Sequence, residues 1–142
     1  MQCSLNDIPD LGLMGIVMHR VMQMAKSRYQ EFDLNWSQAS ILFTLYDHSS
    51  MSQKALASQF NMSPPAITSA IQKLERGGYI KRRPDESDQR VMRLELTEKG
   101  TSCIQAVRDV AEEIRELVFR GMTQEEIMLF RRLLIQINTN LE

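Results

Sequence analysis

Apolar residues recur at three- and four-residue steps along most of this chain, and the step shortens to two in one place only. Met14, Val17, Met18, Val21, Met22 and Ala25 form the first helical stripe, predicting a helix over about Leu11 to Phe32. Ser37 is the predicted cap of a second helix that turns Ile41, Leu42 and Leu45 inward and ends at His48-Ser49-Ser50. Ser52 caps a short helix, Gln53 to Phe60, with Leu56 and Phe60 one turn apart. After a three-residue connection, Ser63-Pro64-Pro65 starts the next helix, because Ser supplies the cap and proline loses no hydrogen bond in a first turn. It runs to about Arg76 and stops at Gly77-Gly78, which suit a C-terminal cap.

The period then changes. Tyr79 to Arg83 and Val91 to Thr97 read as two strands around a polar hairpin tip, Pro84 to Arg90. Thr97 caps a long helix, Glu98 to about Arg120, carrying Ile104, Val107, Ala111, Ile114 and Val118. Gly121 breaks it. Thr123 and Glu126 form a capping box for the last helix, with Met122 and Ile127 as its hydrophobic staple. Ile127, Phe130, Leu134, Ile137 and Leu141 then make a heptad-like seam. The fold class is mainly α with a small β-hairpin wing (α+β), a winged helix-turn-helix joined to a helical dimerisation region. The 142 residues form one domain, 1–142. Residues 34–97 are its winged part, and 8–32 with 98–142 its dimerisation part.

Composition changes this picture little: 43% hydrophobic and 25% charged residues describe a globular chain. Charge changes it more. The net value is −1, yet Ser52 to Lys99 holds nine Lys or Arg against six Asp or Glu, a local +3, and the rest carries −4. A phosphate-facing module on an acidic scaffold has this distribution. No stretch is long and apolar enough for a membrane span, and the first residues lack the pattern of a signal peptide, so a cytoplasmic location is expected.

The helix from Pro64 to Arg76 divides its faces sharply. Ile67, Ala70, Ile71 and Leu74 share the core side; Pro65, Thr68, Ser69, Gln72, Lys73 and Arg76 lie opposite. A helix that enters the major groove needs small polar groups toward its start, since acidic ones would meet phosphates. Gln72 suits a bidentate contact to adenine, and Thr68 or Ser69 suit base edges. Lys73 and Arg76 suit phosphates. A solvated polar face is the plain alternative, and the basic hairpin decides against it. Lys81, Arg82 and Arg83 lead in and Arg90 and Arg93 lead out, so the hairpin reads as a wing that follows the backbone or sets an arginine in the minor groove. Asp88 is placed to orient the Arg90 guanidinium. Asp85 and Glu86 fit a solvated turn.

With Leu74-Glu75-Arg76-Gly77-Gly78-Tyr79-Ile80-Lys81-Arg82, Asp88-Gln89-Arg90 and Leu96-Thr97-Glu98-Lys99-Gly100 in hand, the chain resembles the MarR family of transcription regulators. The joint spacing of these pieces is specific, and weaker similarity extends to Leu34–Leu45 with Gln38. The resemblance implies a homodimer with splayed winged domains that binds double-stranded DNA, a repressor on a palindromic operator. Pro65, Ala66, Ser69 and Gln72 fall on the family's recognition-helix positions and Arg90 on its wing arginine. Gln53, Ser63, Thr68, Lys73, Arg76, Arg82, Asp88 and Gln89 complete the expected DNA-binding set. Ser69 stands where some members carry arginine, so operator sequence does not transfer. Leu13, Val17, Val107, Ile114, Ile127, Phe130, Leu134, Ile137 and Leu141 are the expected dimer interface.

Family members often answer to small aromatic effectors. Met18, His19, Met22, Trp36 and Phe43 are the candidate pocket, against the plainer reading of a Met-rich core stripe. Cys3 and Cys103 form no metal-type cluster, and neither matches the placement of the family's peroxide-sensing cysteine. Two reduced thiols are expected, with redox sensing through Cys103 or Cys3 as the alternative. A winged-helix protein-interaction module without DNA binding is the other competing function. No catalytic constellation, metal motif or cofactor-binding pattern is present, so neither an enzyme nor a cofactor is expected.

Overall fold

The computed structural model describes residues 4–142. Helix α1 spans Asp10–Tyr29 and is followed by one 3-10 turn, Gln30–Phe32. Asp33 then adopts a left-handed conformation (φ 52°) that turns the chain into α2, Trp36–His48. The cap of α2 is Asn35 rather than Ser37. The Asn35 side chain accepts from the Gln38 backbone while the Gln38 side chain accepts from the Asn35 backbone, both at 2.9 Å. This reciprocal pair satisfies two otherwise orphaned donors, which a serine at the second helical position does not.

Strand β1 (Ser50–Ser52), α3 (Gln53–Gln59), α4 (Pro64–Arg76), β2 (Ile80–Pro84) and β3 (Met92–Leu96) complete the winged part. The Ser52 and Ser63 side chains accept from Ala55 and Ala66, as their positions predict. The turn between α3 and α4 is a Schellman closure on Asn61, left-handed at φ 48°. Met62 N–H reaches back to Ala57 and Asn61 N–H to Ser58. Helix α4 ends in the same way, with Gly78 at φ 75° and Tyr79 N–H donating to Leu74. The sheet has three antiparallel strands in the order β1-β3-β2, with Met51 opposite Leu94 and Arg82 opposite Leu94 on the other side. Three residues are too few to show a period, so β1 carries no signature of its own in the sequence, where Ser50 reads as a helix end and Ser52 as a helix cap.

Helix α5 spans Glu98–Val118, capped by Thr97, and α6 spans Gln124–Asn140 with the predicted Thr123–Glu126 capping box. The core runs from Tyr29 and Ile41, Leu42 and Leu45 through Ile67, Ile71 and Leu74 to Leu94 and Val107, all almost fully buried. Val107 and Ile114 are therefore taken up by the subunit's own core (0% and 3% exposed) and leave the expected dimer interface. Their side of α5 faces α1 and α2, where an Arg28–Glu113 ion pair at 2.9 Å and an Arg108–Asp47 pair at 3.1 Å close the edges. Helix α6 differs: none of its residues is buried, and Phe130 meets Phe119 edge-to-face. The winged part is pinned to the end of α1 by the Tyr79 hydroxyl, which donates to the Phe32 carbonyl at 2.8 Å.

Candidate nucleic-acid interface

Four residues on one side of α4 are buried: Ile67, Ala70, Ile71 and Leu74. Ser63, Pro65, Ala66, Ser69, Gln72 and Arg76 are exposed. Thr68 is half-buried because the Gln53 side-chain amide donates to its hydroxyl at 2.9 Å. The same Gln53 accepts from the Arg82 guanidinium at 3.4 Å, and Arg82 donates through Nε to Glu75 at 2.8 Å. Glu75, Arg82, Gln53 and Thr68 thus form one hydrogen-bonded relay across α4, β2 and α3. Glu75 went unread as a site residue because a seven-residue step from helix end to strand follows neither period.

Lys73 departs from its expected place. It sits on the flank of α4, 100° round the helix from Gln72, and pairs with Asp33 at 3.5 Å instead of pointing outward with Ser69 and Arg76.

At the wing, Asp88 holds Arg90 by two parallel bonds, Nε to Oδ1 at 3.0 Å and Nη2 to Oδ2 at 3.1 Å. The guanidinium keeps the Asp88 carboxyl below its usual range and is itself 91% exposed. Gln89 is exposed beside it. Asp85 is more than a solvated turn residue. It accepts the Ser87 and Asp88 backbone N–H groups, which lower its pKa, and so shapes the tip. Arg83 and Lys81 share Glu95, and Arg93 turns toward Ser50 and Asp85. The cations at the wing's base are paired, and Arg90 is the most exposed of the wing's paired cations.

The geometry of an exposed α4 face beside a hairpin has counterparts among known proteins. A sequence profile of the MarR family matches residues 34–92. The chain is 28% identical to YybA of Bacillus subtilis (strain 168), an HTH-type transcriptional regulator, over 97% of this chain and 91% of that protein. It is similar to a crystal structure of MarR at TM-score 0.79 and 26% identity, covering 99% of this chain and 95% of the other. The fold also matches the MepR–DNA complex from S. aureus, at TM-score 0.86 and 21% identity over 94% and 99% of the two chains.

Of the candidate effector residues, Met22 and Trp36 line a cleft of about 580 Å³ between the end of α1 and the start of α2. Met18 and His19 lie on exposed α1 surface outside it, and Phe43 packs against the core. Nor is the methionine stripe a core stripe in this subunit, since Met14, Met18 and Met22 are all exposed. Cys103 is half-buried, its thiol donating to the Gly100 carbonyl, and burial pushes its pKa up, opposite to a reactive thiolate. Cys3 lies outside the described residues. Among the described residues no helix is long and apolar enough to cross a membrane.

Proposed function

We propose that this regulator is a cytoplasmic homodimeric repressor that reads a palindromic operator through α4 and the wing and is released by a small effector. The observation that carries the DNA reading is the pre-set α4 face. Ser69 and Gln72 stand exposed at its centre, and Thr68 is held from behind by Gln53. In this reading Pro65, Ala66, Ser69 and Gln72 meet base edges in the major groove. Ser63, Arg76 and Gln89 meet phosphates. Arg90, locked by Asp88, enters the minor groove, where a narrow groove concentrates negative potential. The resemblance in fold to the MepR–DNA complex supports the same docking.

Residues 34–97 form the DNA-binding part in this proposal, and 8–32 with 98–142 the dimerisation part. Support for the dimer comes from α6, whose Phe130, Leu134 and Ile137 are each at least 40% exposed on one face. Apolar faces of this extent mark interaction sites. Leu13, Val17, Ile127 and Leu141 complete the proposed interface. Pairing would present two α4 helices to half-sites roughly 34 Å apart. The cleft beside Met22 and Trp36 supports the effector, because ligand binding there bears on the α1–α2 turn that carries the winged part.

Two substitutions separate the roles. Gln72→Ala is expected to change preference among duplexes by roughly 5- to 100-fold at one position. Arg90→Ala is expected to weaken all duplexes by roughly tenfold and to lower the salt slope by about one. Quantitative binding to a pool of random duplexes at several salt concentrations checks both. Salt-insensitive binding, or none, would favour a protein-interaction module.

The relay carries its own expectation. Glu75→Gln removes the charge that holds Arg82, which leaves Gln53 and Thr68 loose. Sequence selectivity should fall roughly tenfold while the melting temperature moves by only a few degrees, because the pair is about one-third exposed and weakly stabilising. Unchanged selectivity would remove the relay from recognition.

A further inference from the structure

The sheet thins along its length. Strand β1 pairs with β3 only from Ser50, opposite Glu95, to Ser52, opposite Arg93. Strands β2 and β3 run on past that point, to Pro84 opposite Met92 and the turn beyond. Arg93 therefore stands where three strands become two, and a two-stranded hairpin holds its shape poorly by itself. The tip that carries Arg90 lies wholly beyond this step.

Arginine is an unfavourable residue for this place in the sheet. Arg93 lies opposite Arg83 in the ladder, and like charges directly opposite repel. The two side chains diverge. Arg83 takes Glu95 at 2.8 Å, whereas Arg93 reaches across to β1. Its Nη2 donates to the Ser50 carbonyl at 3.0 Å and to the Ser50 hydroxyl at 3.1 Å, and its Nε donates to that hydroxyl at 3.3 Å. The same Nε lies 3.7 Å from one oxygen of Asp85, whose other oxygen accepts the Ser87 and Asp88 N–H groups. Asp88 in turn clamps Arg90. A forked guanidinium serves both partners, which the single point charge of a lysine does not. At its inner end this path meets fixed structure. Strand β1 ends at Ser52, the cap of α3, and the next residue, Gln53, holds Thr68 of α4.

We propose that Arg93 is a positioning residue, a brace from β1 to Asp85 that fixes the wing tip, and Arg90 with it, relative to α4. Arg93 itself makes no contact with DNA in this assignment. The proposal rests on the operator reading only for its consequence: a loosened tip presents Arg90 to the minor groove in many positions, and holding it in one then costs affinity.

Amide hydrogen exchange and proton–nitrogen correlation spectra of the full chain, without DNA, test the brace. Arg93→Met keeps an unbranched side chain and removes its donors. Exchange at Ser87, Asp88 and Val91 should then rise by roughly tenfold, the Arg90 Nε–H signal should broaden, and exchange within α4 should stay as it is. Ser50→Ala takes away both bonds to the hydroxyl and leaves the α3 cap intact, so it should raise the same exchange to a smaller extent. Unchanged exchange at the tip in both variants overturns the proposal. So does a rise that extends equally through α4, which would mean general loosening. In DNA binding, Arg93→Met should weaken all duplexes several-fold, yet add no further loss to Arg90→Ala, because both act through one guanidinium. Losses that add in full would make Arg93 a separate contact and overturn the brace as well. If the unaltered chain binds no duplex, the operator reading fails, and the exchange measured without DNA still decides for or against the brace.

Discussion

Gly100→Ala is expected to destabilise the subunit by about 3 kcal/mol or more, lowering its melting temperature by roughly 10 °C. Gly100 is buried in the first turn of α5, against the start of the wing. A Cβ there would overlap the Tyr79 carbonyl oxygen, with the Tyr79 carbonyl carbon at 3.1 Å and Leu96 Cδ2 at 3.3 Å. The neighbour is backbone, and it cannot yield. Tyr79 O already accepts the Thr97 N–H at 3.0 Å, the next residue Ile80 is paired with Leu96, and the Tyr79 side chain is tied to Phe32. Any relief must push α5 away from the sheet and open the core around Ile104. Gly121→Ala gives the comparison. Gly121 is left-handed at φ 83° with open space around it, so only the backbone strain of about 1–2 kcal/mol applies. Thermal melts of the two variants rank them, and a Gly100→Ala protein as stable as Gly121→Ala would mean that α5 and the wing are not packed this closely.

The same glycine shows what could be read from the chain and what could not. Leu96-Thr97-Glu98-Lys99-Gly100 was recognisable as a pattern, and Thr97 as a cap, because capping chemistry is local. The need for glycine arises from a carbonyl 21 residues earlier. Local rules also located the starts of α3, α4, α5 and α6, each marked by a serine or threonine oxygen and the N–H it satisfies. They failed at α2, where Asn35 and Ser37 are both good caps and only the reciprocal bond with Gln38 separates them. Periodicity placed Val107 and Ile114 on an apolar stripe but could not say which partner that stripe meets. In the structure it meets α1 and α2.

For the interface, the division of α4 into two faces was legible because it follows from a helical repeat. Its flank was not. Lys73 and Gln72 are neighbours in sequence, yet one pairs with Asp33 across a cleft and the other stands in solvent. Nothing local announces Asp33, whose left-handed backbone follows a single 3-10 turn. The Asp88–Arg90 clamp could be anticipated from spacing alone, whereas the Glu75–Arg82–Gln53–Thr68 relay required three elements to be assembled first.

Leu134→Glu is expected to convert the proposed homodimer into a monomer and to lower operator affinity by roughly 10²- to 10⁴-fold through lost bivalency. Leu134 is 45% exposed in the subunit, so the substitution removes little from the subunit's own core. In a two-fold interface the change enters twice. A carboxylate would be driven into an apolar seam beside Phe130 and Ile137, opposite its own symmetry mate, and burying an unpaired charge costs several kcal/mol. Sedimentation at micromolar concentration should give the mass of one chain instead of two. The far-UV circular dichroism spectrum checks that the helices persist, and a concentration-dependent melting temperature for the unaltered protein alone would show that folding and pairing are linked. A Leu134→Glu protein that still sediments as two chains would place the interface elsewhere. Weak DNA binding by that persistent dimer would then point to helix spacing rather than pairing as the determinant of affinity, because two α4 helices held at the wrong separation cannot both reach their half-sites.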